Sequence, residues 1–278
     1  MSVAFARMNE AQRIAYANTA KVEIENAWQA TVAEFRKNWP GDARLLFIIH
    51  EGRDGIDAED ANDIITEINL LKRNEPIDII LHTHGGSASA SDRIAYAIVD
   101  RPHTTAFVPF YAESGGTEIA LATQKIVFGN SANLSPVDLQ LGGIPARDVV
   151  RLAKELGDRA SEDLRLEAMV AEKALEDETE RLCKLINRRH RSPWWWLGLG
   201  GCRLARTLAS GDRFHGHPIS YKEARSLGIN AGRRMPKSVY RLISVRRDQL
   251  RQLRELDPQI TVVRKRSAKQ AEEPAVSG

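Results

Sequence analysis

Apolar residues switch between two periods along the first half of the chain. Residues 45–50 form a short apolar run. Behind it, Ala61, Ile64, Ile65, Ile68 and Leu71 recur at i, i+3, i+4 and i+7, the stripe of a helix that buries one face. Asp57 opens this helix and Asp60 follows three residues later, an acidic form of the reciprocal capping pair. The cycle repeats: an apolar strand over 77–82, a Gly85-Gly86 pair, and a helix over roughly 88–100 with Ile94, Ala95, Ile98 and Val99 on one side. A third turn brings β-formers over 104–109, then Ser114-Gly115-Gly116, a helical segment from Thr117, and a strand over 125–128. Strands alternating with helices predict a parallel sheet joined by right-handed crossovers.

In such sheets, the loops at the carboxyl ends of the strands line one crevice. Gly85-Gly86 and Ser114-Gly115 both fall at strand carboxyl ends, so the pattern lets them face each other. Glycines after Ser114 permit a sharp turn that exposes its hydroxyl at a helix N-terminus, where free N–H groups favour negative charge. Taken alone, Ser114 reads equally as a helix cap. Paired with the second glycine turn it reads as a nucleophile, with oxyanion-binding N–H groups from Gly86 and Gly115.

The segments that carry these turns, HTHGG (82–86) and VPFYAESGGTEIALATQKIVFGNSANLSPVDLQLG (108–142), resemble the Clp-fold serine proteinases. The similarity is greatest to the serine dehydrogenase proteinase branch, related to signal peptide peptidase A and the Clp proteolytic subunit. His84 stands where that branch usually has proline. SGDRFHGHPISYKEARSLGI (210–229) resembles a further family element, a histidine and a Pro-Ile pair before a helix. The resemblance covers roughly residues 44–244. It implies an α/β fold of the ClpP/crotonase type, with parallel strands and crossover helices, between helical N- and C-terminal extensions. The corresponding division is an N-terminal helical extension (1–43), the proteinase domain (44–244) with a helical arm and Trp-rich insertion over 143–206, and a C-terminal extension and disordered tail (245–278). It also implies a serine peptidase acting on peptides or unfolded protein without a cofactor, assembled as a homo-oligomer, with a separate ATPase or a membrane-associated protein as a candidate partner.

The base for Ser114 is less clearly marked. A serine hydroxyl needs a neighbour to take its proton. In the Clp proteolytic subunit a histidine serves, and Asp138 falls near its position here; no histidine lies between 104 and 189. The signal peptide peptidase A pattern uses a lysine, which points to Lys173 in EKALEDETERLCKLI, with Lys154 as a second candidate nearer Ser114 in sequence. His215, in FHGHPIS, is the third option, since an imidazole needs little perturbation to act near neutral pH. The pairs His82/His84 and His215/His217 have a spacing that could hold a metal on a strand, but no third ligand accompanies either, so no metal is expected. His82 is read as orienting the Gly85-Gly86 loop.

Composition adds boundaries to this picture. Of 278 residues, 42% are hydrophobic and 28% charged, which fits a globular chain, and a net charge of +3 gives no reason to expect nucleic acid. Cys183 and Cys202 form no framework; they read as packing residues, consistent with a reducing cytoplasm. No apolar run reaches the roughly 18 residues that span a bilayer. Residues 5–37 predict an amphipathic helix that packs on the body or on a neighbouring subunit, and 143–190 predicts two helices. The Trp194–Trp196 run suggests a cleft wall or subunit contact, and residues 263–278 a disordered tail. Two alternatives to a peptidase share the fold. One is a non-catalytic oligomeric scaffold; the other is a crotonase-like acyl-CoA enzyme, which has the two-N–H hole but no serine nucleophile.

Overall fold

A computed structural model describes residues 8–52, 54–189, 200–211 and 213–271. Two compact units divide the chain: residues 41–236, and residues 1–40 together with 237–278.

The larger unit is built on a five-stranded, wholly parallel sheet of order β1-β2-β3-β5-β10. Its strands are β1 (Arg44–Ile49), β2 (Ile77–His82), β3 (Thr104–Val108), β5 (Lys125–Phe128) and β10 (Ala231–Gly232). Strand β2 sits between two neighbours and is an almost unbroken apolar run, with Ile77, Ile79, Ile80 and Leu81 fully buried. The crossovers are helices α2 (Ala58–Asn69) and α3 (Ala88–Val99), and the short α4 (Gly115–Ala122), all eight of whose residues are buried. The predicted capping pair forms: the Asp57 carboxylate accepts from the Asp60 N–H, and Asp60 accepts from the Asp57 N–H at 2.9 Å.

Between and beyond the sheet strands lie β4 (Tyr111–Ala112), β6 (Asn133–Leu134) and β9 (Ile219–Ser220), which form a small mixed sheet, and the hairpin β7 (Gln140–Leu141) and β8 (Ile144–Pro145). The predicted helical arm is α5 (Ala146–Leu156) and α6 (Glu162–Arg189), followed by α7 (Gly200–Ala209) and α8 (Tyr221–Ser226). Leu182, Leu185 and Ile186 of α6 are fully buried in the main core, with Leu204, Ala205 and Leu208 of α7 in the same cluster.

Two differences from the sequence reading stand out. Cys183 and Cys202, read as separate packing residues, are joined as a disulfide between α6 and α7, Cα atoms 4.4 Å apart. Helical side chains brought them together over 19 residues of sequence, a pairing that spacing does not reveal. The tail expected after residue 263 is instead helical to Ala271, within α9 (Lys237–Ala271). The Trp194–Trp196 segment lies outside the described residues.

The smaller unit is a helix pair. Helix α1 (Glu10–Lys37) starts with an Asn9/Gln12 capping box and packs on α9, where Arg246 lies over the Trp28 ring at 4.7 Å and pairs with Glu25 at 3.3 Å. The N-terminal helix thus finds its partner in the C-terminal one. Among the described residues no helix is long and apolar enough to cross a membrane.

Candidate active site

Helix α4 begins at a residue that does not cap it. Ser114 occupies the N-cap position with φ 50° and ψ −119°, and its hydroxyl makes no capping hydrogen bond. A positive φ is unfavourable for any residue with a Cβ and is kept only where the surroundings enforce it. Here the enforcement is visible on both sides of the turn. The Ser114 N–H donates to Ser135 Oγ at 2.8 Å, and the Gly116 N–H donates to the Glu113 carbonyl at 2.8 Å. Ser114, left without a cap bond, lines a cavity of about 310 Å³.

Close packing of the β2 loop against this turn dictates its glycines. The Thr83 N–H donates to the Tyr111 carbonyl (3.2 Å), and the Glu113 N–H donates to the Thr83 carbonyl (2.9 Å), zipping the two strand ends together. Gly85, with φ 98°, then passes so near the serine that a Cβ on it would stand 2.8 Å from Ser114 Cβ. Gly86, with φ 155°, pairs with Ile56: the Ile56 N–H reaches the Gly85 carbonyl and the Ser87 N–H reaches the Ile56 carbonyl, both at 2.8 Å. In that parallel pairing the N–H of Gly86 itself points away from Ile56. A Cβ at Gly86 would lie 2.3 Å from the Ile56 carbonyl oxygen, so no larger residue fits. Gly115 supplies the first N–H of α4, which has no partner within the helix. Both Gly86 and Gly115 line the cavity with Ser114.

Thr83 holds the Gly85-Gly86 loop. Its hydroxyl accepts from the Gly85 N–H at 3.1 Å and meets His50 Nδ1 at 3.0 Å, while His50 Nε2 lies 3.2 Å from Asp60. His82, buried, pairs with Glu51 at 3.1 Å one layer back. His84 also lines the cavity; it bonds Glu113 at 2.6 Å and stacks on Tyr111 with ring centroids 4.1 Å apart.

The base candidates separate clearly. Lys173 is exposed on α6 and does not line the cavity; Lys154 is exposed on α5 and pairs with Glu172 at 2.8 Å. Both stand on solvent-facing positions outside the lining of the cavity. Asp138 and His215, in contrast, both line the cavity and are bonded to each other, His215 Nδ1 to Asp138 Oδ1 at 2.7 Å. Asp138 is buried and also accepts from Gln140 Nε2 at 2.6 Å. A carboxylate only accepts, so the imidazole donates through Nδ1–H and leaves Nε2 as the nitrogen with a lone pair. The hydrogen bond to Asp138 holds the His215 pKa above the ordinary histidine value, against the opposing effect of burial. His217 turns instead toward Glu223, 3.7 Å away, so the two histidines do not converge.

Asp138 reaches this place because its segment is stitched to the Ser114 turn. Ser135 binds the Ser114 N–H through Oγ, and its own N–H donates to Thr117 Oγ1 at 3.0 Å. Two residues on, the Val137 N–H donates to the Leu208 carbonyl at 2.9 Å. Sequence order put Asp138 at 24 residues and His215 at 101 residues from Ser114, a separation at which only tertiary structure reveals the pair.

The model of the ClpP-like SDH-type serine proteinases matches residues 49–275. The chain belongs to that family. Peptidase chemistry on peptide substrates, and the Clp-type α/β fold, follow from this membership. Two uncharacterized proteins of Methanocaldococcus jannaschii are similar to this serine proteinase: one is 34% identical over 71% of the chain and 68% of its own length, the other 31% identical over 68% and 63%. Two solved structures of the 1510-N membrane-bound stomatin-specific protease also align. A serine-to-alanine mutant gives a TM-score of 0.45 at 16% identity, covering 73% of this chain and 85% of its own. A lysine-to-alanine mutant in complex with a substrate peptide gives 0.44 at 17%, covering 70% and 77%.

Sequence reasoning missed two side chains that line the cavity, Glu118 and Glu178. Glu118 carried a signal: it is the lone charge in the apolar helix GGTEIALA. Glu178 carried none, being one acid among many on a charged helix.

Proposed function

We propose that this serine proteinase cleaves peptide bonds through an acyl-enzyme on Ser114, with His215 as base, Asp138 as its orienting partner, and the N–H groups of Gly86 and Gly115 as the oxyanion hole. The observation that carries the reading is the strained, uncapped Ser114 in one cavity with a hydrogen-bonded His215–Asp138 pair and two glycine turns. In the first step His215 Nε2 takes the hydroxyl proton as Ser114 Oγ bonds to the carbonyl carbon. The carbonyl oxygen becomes an anion facing two N–H donors, whose dipoles are already oriented and need no reorganisation. The imidazolium, stabilised by Asp138, then gives its proton to the leaving amine as the C–N bond breaks. A water, deprotonated by the same nitrogen, releases the acyl group and restores Ser114.

Reaction with a fluorophosphonate, which phosphonylates activated serines, tests the assignment. The wild-type chain should be labelled at Ser114 and hydrolyse an unfolded protein substrate, and Ser114→Ala should lose both. Hydrolysis that persists at the wild-type rate in Ser114→Ala would place the nucleophile elsewhere.

A further inference from the structure

The cavity wall also carries two carboxyl groups that the proposed chemistry does not use. Glu118, one turn beyond Ser114 on α4, and Glu178, on α6, both line the cavity and are each at least nine-tenths buried, exposed by 1% and 9%. Behind them Arg181 binds Glu118 Oε1 at 2.6 Å and Glu178 Oε1 at 2.5 Å, and also pairs with Asp92 of α3. One guanidinium therefore serves three carboxylates. Were all three ionised, the cluster would carry two uncompensated negative charges in a site where such charges are costly. The two glutamates each keep their other oxygen, Oε2, without a hydrogen-bond partner among the described residues. Among the described residues no lysine or arginine lines the cavity; its other charged or titratable walls are Asp138, His84 and His215.

We propose that Glu118 and Glu178 form a specificity subsite that takes the cationic side chain, lysine or arginine, of the residue whose carbonyl Ser114 attacks. The proposal rests on Ser114 being the nucleophile, because the same cavity must hold the scissile carbonyl and this side chain together. A cation reaching past Ser114 meets the free carboxylate oxygens and supplies the positive charge that Arg181 alone does not. Burial, with no cation present, has the opposite effect: it raises the Glu178 pKa to about 7 and that of Glu118 well above the carboxylate range, so the empty subsite holds protons in place of a cation. Occupation of the Oε1 atoms by Arg181 leaves a one-sided acceptor suited to an ammonium or guanidinium rather than to an ion needing a full shell of ligands. At pH 8 an acidic substrate side chain would face the like charge of Glu178, whose value near 7 leaves it ionised, and Arg181, which does not line the cavity, offers it no compensation.

The test uses the full chain at pH 8 and short peptidyl diphenyl phosphonates that differ only in the terminal side chain: lysine, norleucine or glutamate. Norleucine keeps the aliphatic stem and removes the charge. A simple fluorophosphonate, run in parallel, reports the Ser114 hydroxyl independently of the subsite. The wild-type chain should react with the lysine probe on the order of tenfold or more faster than with norleucine, the size of one charged hydrogen bond, and slowest with glutamate. In Glu178→Gln the lysine-to-norleucine ratio should fall toward one. Equal rates for lysine and norleucine in the wild-type chain, with fluorophosphonate labelling intact, would overturn the subsite and leave Ser114 standing. A lysine preference unchanged in both Glu178→Gln and Glu118→Gln would also overturn it. Absence of fluorophosphonate labelling would remove the nucleophile assignment and the subsite with it.

Discussion

At the scale of the residue, the site is built on a strained serine and a paired histidine. The backbone of Ser114 sits at φ 50° with no cap bond to compensate it. Glycine adopts that conformation without the Cβ cost, so Ser114→Gly should stabilise the fold by about 1 kcal/mol while abolishing labelling. Ser114→Ala, which keeps the Cβ, should abolish labelling with no such gain; chemical denaturation of the two variants separates the effects. The His215 pKa is raised by its bond to Asp138. In the proposed mechanism Nε2 must be unprotonated to accept the serine proton, so the acid limb of kcat/KM should lie above the ordinary histidine value of about 6.5. The folded-state preference for the charged ring adds stability below that value, and this is lost as pH rises through the raised pKa. Asp138→Asn should move the limb down and lower kcat by about 10²- to 10⁴-fold, as expected when the partner of the base can no longer hold it or stabilise its charge.

At the scale of the element, two strand-to-helix turns do the positioning, and both depend on glycine for contact rather than for flexibility. Gly86→Ala would drive a Cβ into the Ile56 backbone, at 2.3 Å from its carbonyl oxygen. The loop would have to shift and carry the Gly86 N–H with it. Loss of one oxyanion donor costs about 10²–10³ in kcat, so Gly86→Ala should fall at least that far with KM little altered. Helix α6 contributes an opposite kind of constraint. Glu178 titrates near 7 in the folded chain against 4.5 unexposed to burial, so it opposes folding progressively as pH rises from about 4.5 to 7. Glu178→Gln should therefore stabilise the protein by about 1–3 kcal/mol at pH 8 and by almost nothing at pH 4, where the glutamate is already neutral. Thermal melts at the two pH values would measure this difference.

At the scale of the whole molecule, the order of strands and helices was legible because period 2 and period 3.6 alternate so regularly between residues 45 and 128. The Asp57/Asp60 cap and the two glycine turns were legible for the same local reason. What lay beyond local pattern was lost. Ser114 and the two glycine turns are close in sequence and line one cavity, but His215 comes 101 residues after Ser114, on the segment that leads into β9, which pairs with β6. Motif resemblance favoured Lys173, whose helix does reach the cavity, through Glu178 rather than through the lysine. A helix places residues five apart on different faces, and that difference of face is what the linear motif could not express. The Cys183–Cys202 pairing and the α1–α9 helix pair were hidden in the same way, each made by residues that only the fold brings together.

The central claim is that His215, not a lysine, activates Ser114. The most direct measurement is the second-order rate of fluorophosphonate labelling of Ser114 at pH 8 in His215→Ala and Lys173→Ala, each compared with wild type. Labelling slowed by about 10²-fold or more in His215→Ala and unchanged in Lys173→Ala is the predicted result. Wild-type labelling in His215→Ala, with the loss appearing in Lys173→Ala, would contradict the account.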